Sequence, residues 1–176
     1  WGRLYGSAAA LALVTAANNS DGPLLLIVPG EQQAWWLEAE LQFYAANQNL
    51  PIWHFRDWET LPYDLFSPHH EVVSSRLATL WHIRNLKRGF IITTASAALQ
   101  RLCPPDYLDN AAFIFKLGDQ LDIDGTRQRL QSAGYEAVDQ VVEHGQYAVR
   151  GALFDVFPMG SELPYRFDLF DDEIET

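Results

Sequence analysis

The sequence contains a single cysteine, Cys103. No internal disulfide can form, so a stable fold must rest on its core, and a reducing compartment, the cytoplasm, fits best. No apolar stretch approaches the length needed to span a bilayer, and the run 24–28 is among the longest. No signal peptide is visible. Positive charge is scarce: 12 Lys and Arg stand against 23 Asp and Glu, giving a formal net charge of −11. Such a surface repels a phosphate backbone, which argues against DNA binding by the chain as a whole and leaves room only for a local basic patch.

Several kinds of catalytic chemistry are also missing. A phosphate-binding loop needs glycines for close backbone approach and a lysine for the phosphates. The segment 4–10 (LYGSAAA) stands before a helical stretch, where such a loop would sit, but has one glycine and no Gly-Lys-Ser/Thr. It reads as a plain helix entrance. For a metal, His69, His70 and Glu71 are adjacent, with Asp57 and Asp64 upstream, yet neighbouring residues point apart and no H-E-x-x-H or C-x-x-C spacing exists. The plainer reading is a Ser67-Pro68 turn opening a helix. His54, His82 and His144 stand isolated in sequence. Cys103 precedes two prolines and has no predictable base, and no G-x-S-x-G occurs. The carboxylates 171–173 read as a solvated face.

What the chain does have is apolar material, 48% hydrophobic and 13% aromatic in 176 residues, enough for one ordinary domain or two small ones. Residues 7–17 are Ala-, Leu- and Val-rich and suit a helix. Continuous apolar runs at 24–28 and 90–94, with a shorter one at 52–55, suit buried strands of a parallel sheet. Helical spacing over 31–46 (Trp35, Leu37, Leu41, Tyr44) and 71–86 (Val72, Leu77, Leu80, Trp81, Ile83) predicts two amphipathic helices, and 95–102 a short third. Alternation of helix and strand gives a parallel sheet with helices on its faces.

The pattern changes after Cys103-Pro104-Pro105. The prolines break any helix there, and 106–110 reads as a linker. Beyond it, 112–116, 140–143, 147–157 and 165–170 predict strands, 126–132 a helix capped by Gly134, and 158–161 a turn. This is a small antiparallel sheet with one helix, placing a boundary near Ala111. On 165–170, alternation sets Arg166, Asp168 and Phe170 on one face. With Arg150 they are good interface anchors, since Arg and aromatic residues dominate binding hot spots. The competing reading is that Arg150 and Arg166 only pair with Asp155 or Asp168 across strands. The chain starts at Trp1 and stops in an acidic run, which reads as a piece of something longer.

The segments 57–64 (DWETLPYD), 66–69 (FSPH), 74–77 (SSRL), 141–145 and above all 150–174 (RGALFDVFPMGSELPYRFDLFDDEI) resemble the N-terminal region of the bacterial transcription-repair coupling factors. That region is in turn similar to the excision-repair protein UvrB, which has an R-G…D-[IV]-F-P…F-D-[DE]-E block. The resemblance implies an α/β fold: a degenerate, helicase-lobe-like parallel sheet flanked by helices over 1–110, without a nucleotide site. A small α+β domain with an antiparallel sheet follows over 111–176, UvrA-binding and truncated at its C-terminus. It implies a non-catalytic docking module that recruits UvrA and so links stalled transcription to nucleotide excision repair. The implied UvrA-binding residues are Arg150, Arg166 and Phe170. No catalytic residue, cofactor or metal is implied for this segment. ATP and magnesium belong to the motor of the full-length protein, RNA polymerase and DNA are contacted by its other parts, and its C-terminal domain is an intramolecular partner. No membrane is involved, and the expected place is the cytoplasm. The rival reading is a fragment of an ATP-dependent, helicase-like DNA enzyme with residual nucleotide or DNA binding, which the missing lysine and the acidic charge oppose.

Overall fold

The computed structural model describes residues 3–60, 64–111 and 115–176. The fold has two compact units: 1–68 with 79–102, and 69–78 with 103–176.

In the first unit, the apolar run Leu24–Val28 forms β1, Ile52–Phe55 forms β2 and Phe90–Thr94 forms β3. All pairs are parallel, in the order β1-β3-β2, so the last strand in sequence lies in the middle. Two helices, α1 (Ala8–Asn18) and α2 (Glu31–Ala45), contribute to the core. That core joins Ala10, Val14, Ala34 and Leu41 to Phe90 and Ile92 of the central strand. Alanines supply much of this core on both helices: Ala10 and Ala17 on α1, Ala34 and Ala45 on α2. The buried line of α2 is Ala34, Leu41 and Ala45. Trp35, expected to face inward, is instead 47% exposed. The third helix, α3, runs His70–Ile83 and stops short of the expected 86. The Thr79 hydroxyl donates to the carbonyl of His54 at 3.2 Å. A four-residue helix, α4 (Ala95–Ala98), follows β3 directly, with Thr94 accepting from the Ala97 amide at 3.1 Å.

The region expected to be a linker is instead a helix, α5 (Pro105–Ala111). Pro105 occupies its first position, where the missing N–H costs nothing and the fixed φ is already helical. Of the strand expected at 112–116, residues 112–114 lie outside the described residues, and Phe115 and Lys116 are not in a strand. Helix α6 (Ile123–Ser132) begins at Asp122, whose carboxylate accepts from the Gly125 amide at 3.1 Å, and Gly134 at φ +87° follows its end.

The second unit is built on a five-stranded sheet, β4 (Glu136–Ala137), β5 (Gln146–Arg150), β6 (Leu153–Phe157), β7 (Tyr165–Phe170) and β8 (Glu173–Ile174), in sequential order. Only β4 and β5 are parallel; the rest is antiparallel. The expected single strand over 147–157 is two strands, reversed at Gly151 with φ +60°. Residues 140–143 are not a strand: the amides of Val142 and Glu143 both donate to the side chain of Gln146, at 3.0 Å each, in place of a ladder. One sheet face packs Tyr147, Phe154, Val156 and Leu169 against Leu121 and Leu130.

Among the described residues, no helix is long and apolar enough to cross a membrane.

Candidate partner-binding site

Strand alternation sends the neighbours of those core residues to the opposite sheet face. Ala148 pairs with Asp155, and Asp155 pairs with Arg166 on the next strand. Arg150, two residues from Ala148, shares this face, as do Asp168 and Phe170. Asp155 is therefore flanked from both sides. Its Oδ1 accepts from Nε of Arg166 at 2.6 Å, and its Oδ2 accepts from Nη2 of Arg166 at 2.8 Å and from Nη2 of Arg150 at 2.7 Å. Asp155 is only 7% exposed. The two guanidinium-bearing side chains are more than half exposed.

A buried carboxylate is costly unless charged partners satisfy it. Here the Arg166 hydrogen bonds hold the Asp155 carboxyl below its ordinary value, outweighing burial, with Arg150 assisting. Reciprocally, Asp155 pushes the Arg166 guanidinium up. Of the two cross-strand acids weighed from the sequence, Asp155 is the one the arginines hold. The trio borders a cavity of about 510 Å³, also lined by Gln140, Val141, Pro164 and Tyr165. Phe170, at the end of β7, is 65% exposed on the same face as Arg166. The structure thus brings Arg150 and Arg166 together on one acid and leaves Phe170 displayed along the same strand. The surface offers charged, planar hydrogen-bond donors beside an apolar ring.

Two of the other candidates, His69 and Asp57, are held by hydrogen bonds. His69 Nδ1 accepts from the amide of Glu71 at 3.3 Å at the start of α3. Asp57 is not near a metal-like grouping: its carboxylate accepts from Ser96, from Gln100 at 2.6 Å and from the Trp58 amide at 2.7 Å. Among the described residues, no three His, Cys, Asp or Glu side chains group to hold a metal ion. The 4–10 segment turns at Gly6, φ +55°, into α1, and a Cβ on that glycine would meet no protein atom within 4 Å.

One cluster was not visible in the sequence. His54, isolated there, is buried on β2 with Nε2 3.0 Å from Glu31 and Nδ1 3.1 Å from Glu38, both on α2. Trp35 packs edge-on against its ring at 4.7 Å between centroids. The Glu31–Glu38 spacing of seven places both acids on one face of α2, but nothing in the sequence pairs that face with His54.

Residues 113–176, which carry the arginine pair and Phe170, match the family model of the UvrB interaction domain. The whole chain aligns with transcription-repair-coupling factor from Escherichia coli (strain K12), 47% identical over 175 residues, covering 99% of this chain and 15% of that protein. The chain is homologous to the N-terminal part of transcription-repair-coupling factor. The Haemophilus influenzae coupling factor is 46% identical over 175 residues, again 99% of this chain and 15% of that protein. The Mycobacterium bovis coupling factor is 32% identical over 180 residues, 97% of this chain and 14% of that protein. The chain therefore spans about 15% of the length of these coupling factors, and the paired arginines fall in the stretch matched by the UvrB interaction domain.

Proposed function

We propose that this chain is a docking module for UvrA, and that Arg150, Arg166 and Phe170 form its contact surface. The observation that carries the reading is the coincidence of two things on residues 113–176: the match to the UvrB interaction domain, and an exposed face with two tethered guanidinium groups and an open aromatic ring. Guanidinium groups make bidentate contacts to carboxylates, and a Phe ring supplies apolar area to bury. Residues 1–110 serve as a degenerate motor lobe without a nucleotide site, and 111–176 as the UvrA-binding domain. The chain itself catalyses nothing and needs no ATP or magnesium. In the full-length protein, translocation, RNA polymerase binding and DNA binding belong to other parts, and the C-terminal domain is an intramolecular partner of this surface. The whole acts in the cytoplasm to connect stalled transcription to nucleotide excision repair.

The test is alanine substitution. Arg150→Ala, Arg166→Ala and Phe170→Ala should each weaken UvrA binding by roughly thirtyfold, the scale of a hot-spot truncation. Melting temperatures should stay close to that of the parent. Unchanged affinity in all three well-folded variants would remove the assignment.

A further inference from the structure

The arginines of the docking face are not independent charges. Both are bound to one buried acid at the centre of the sheet. That arrangement is unfavourable for simple charge attraction: Asp155 cancels one of the two positive charges the face would otherwise offer. A surface that attracted an acidic partner by charge alone would be better without it. Its benefit is geometric. Arg side chains carry much rotamer entropy, and immobilising each one on binding costs affinity. Asp155 meets that cost in the free protein. Arg166 commits Nε and one Nη to it, and Arg150 one Nη. Beyond these bonds to Asp155, the other Nη of Arg166 and most donors of Arg150 make no hydrogen bond among the described residues, and both arginines line the cavity of about 510 Å³. The trio carries a net charge of about +1 with planar donors on it, which matches a single carboxylate.

We propose that Asp155 is the positioning residue of this surface, fixing both guanidinium groups over the cavity so that they grip one Asp or Glu carboxylate of the protein partner. The proposal rests on the docking reading above and adds the chemistry of the contact. Asp155 also borders the cavity but is only 7% exposed, and as an anion it repels a partner carboxylate, so its role is to hold the arginines rather than to make the contact.

Asp155→Asn keeps the shape and removes the charge that holds the arginines. Its effect has opposite signs under the two ideas: free charges predict tighter binding to purified UvrA, whereas positioning predicts binding about tenfold weaker, the scale of releasing two ordered side chains. A second readout is the Arg166 Nε–H signal in ¹H–¹⁵N spectra of the unbound chain. It should be sharp and rigid in the parent and lose its order in Asp155→Asn. Should Asp155→Asn fail to fold, Arg166→Lys replaces it, since that side chain is exposed. It keeps the charge but not the two-pronged grip, and positioning predicts a loss as large as in Arg166→Ala. Equal or tighter UvrA binding by Asp155→Asn, or by Arg166→Lys, while Arg166→Ala still weakens it, would overturn the positioning role and leave the docking reading standing. If Arg150→Ala and Arg166→Ala themselves bind normally, the docking reading falls and this inference with it.

Discussion

Asp155 also ties the surface to pH. Its carboxyl titrates below the ordinary value of 3.8 in the folded chain, chiefly through the Arg166 hydrogen bonds. The unfolded chain lacks those bonds and returns to the ordinary value. Stability from the pair is therefore complete above pH 3.8 and is lost as pH falls through the lower folded value. The expected outcome is a melting-temperature gap between parent and Asp155→Asn that is constant from pH 7 to about pH 5 and narrows in stronger acid. Thermal melts at stepped pH check this. A gap that widens on acidification would mean that Asp155 is held neutral, and the ion-pair description would be wrong. Removing one arginine leaves the acid a partner; removing both strands a buried charge, which is why single substitutions separate binding from folding better than the double one.

The strands that carry these residues depend on turns, and the turns were the least legible part of the sequence. Asp171 and Asp172 join β7 to β8 with φ of +47° and +68°. Two left-handed residues in a two-residue loop are the hairpin geometry that favours Asn-Gly or Asp-Gly. An Asp-Asp pair gives a weak signal for it, and the run read as a solvated acidic face. It is exposed, but it is also the bend that lets Glu173 and Ile174 pair with Phe170 and Leu169. Asp172→Gly should stabilise the chain by about 0.5–1 kcal/mol by relieving the left-handed Cβ, seen as a raised melting temperature. A lowered one would show that the Asp172 side chain, rather than its backbone, holds the turn. The same reasoning explains other differences. The stretch 147–157 holds no Pro or Asn-Gly to mark a bend, only Gly151, so β5 and β6 read as one strand. Two-residue strands such as β4 have no periodicity to detect. The parallel strands of the first unit were legible because each is a continuous apolar run between turn residues. The resemblance alone singles out Arg150, Arg166 and Phe170 as the proposed contact residues, while their shared sheet face was legible through period-two alternation. The convergence of both arginines on Asp155 was not, because it requires the register of three strands and the break at Gly151. The cavity they border is closed in part by Gln140 and Val141, from a segment that looked like strand.

At the scale of the whole chain, the paired arginines are a local exception on an acidic background. The formal net charge is −11, and Asp155 removes one of the two positive charges from the most arginine-rich point of the proposed surface. Duplex DNA binding without sequence preference depends on releasing counterions by placing Lys and Arg on successive phosphates. A stripe of such contacts is needed, and one tethered pair with net charge about +1 does not make one. A protein carboxylate needs only that pair. Under the proposed docking reading, the net negative charge of the chain disfavours a long polyanion more than a single acidic side chain of a protein partner. The expected outcome is no saturable binding to a 30-base-pair duplex below roughly 100 μM at physiological salt, with any residual binding at low salt falling steeply as salt rises. Fluorescence anisotropy across a salt series measures this. Micromolar binding at physiological salt would contradict it and revive the helicase-like reading. If that binding persisted in Arg150→Ala and Arg166→Ala, its site would lie elsewhere on the chain, and the docking surface would be unaffected.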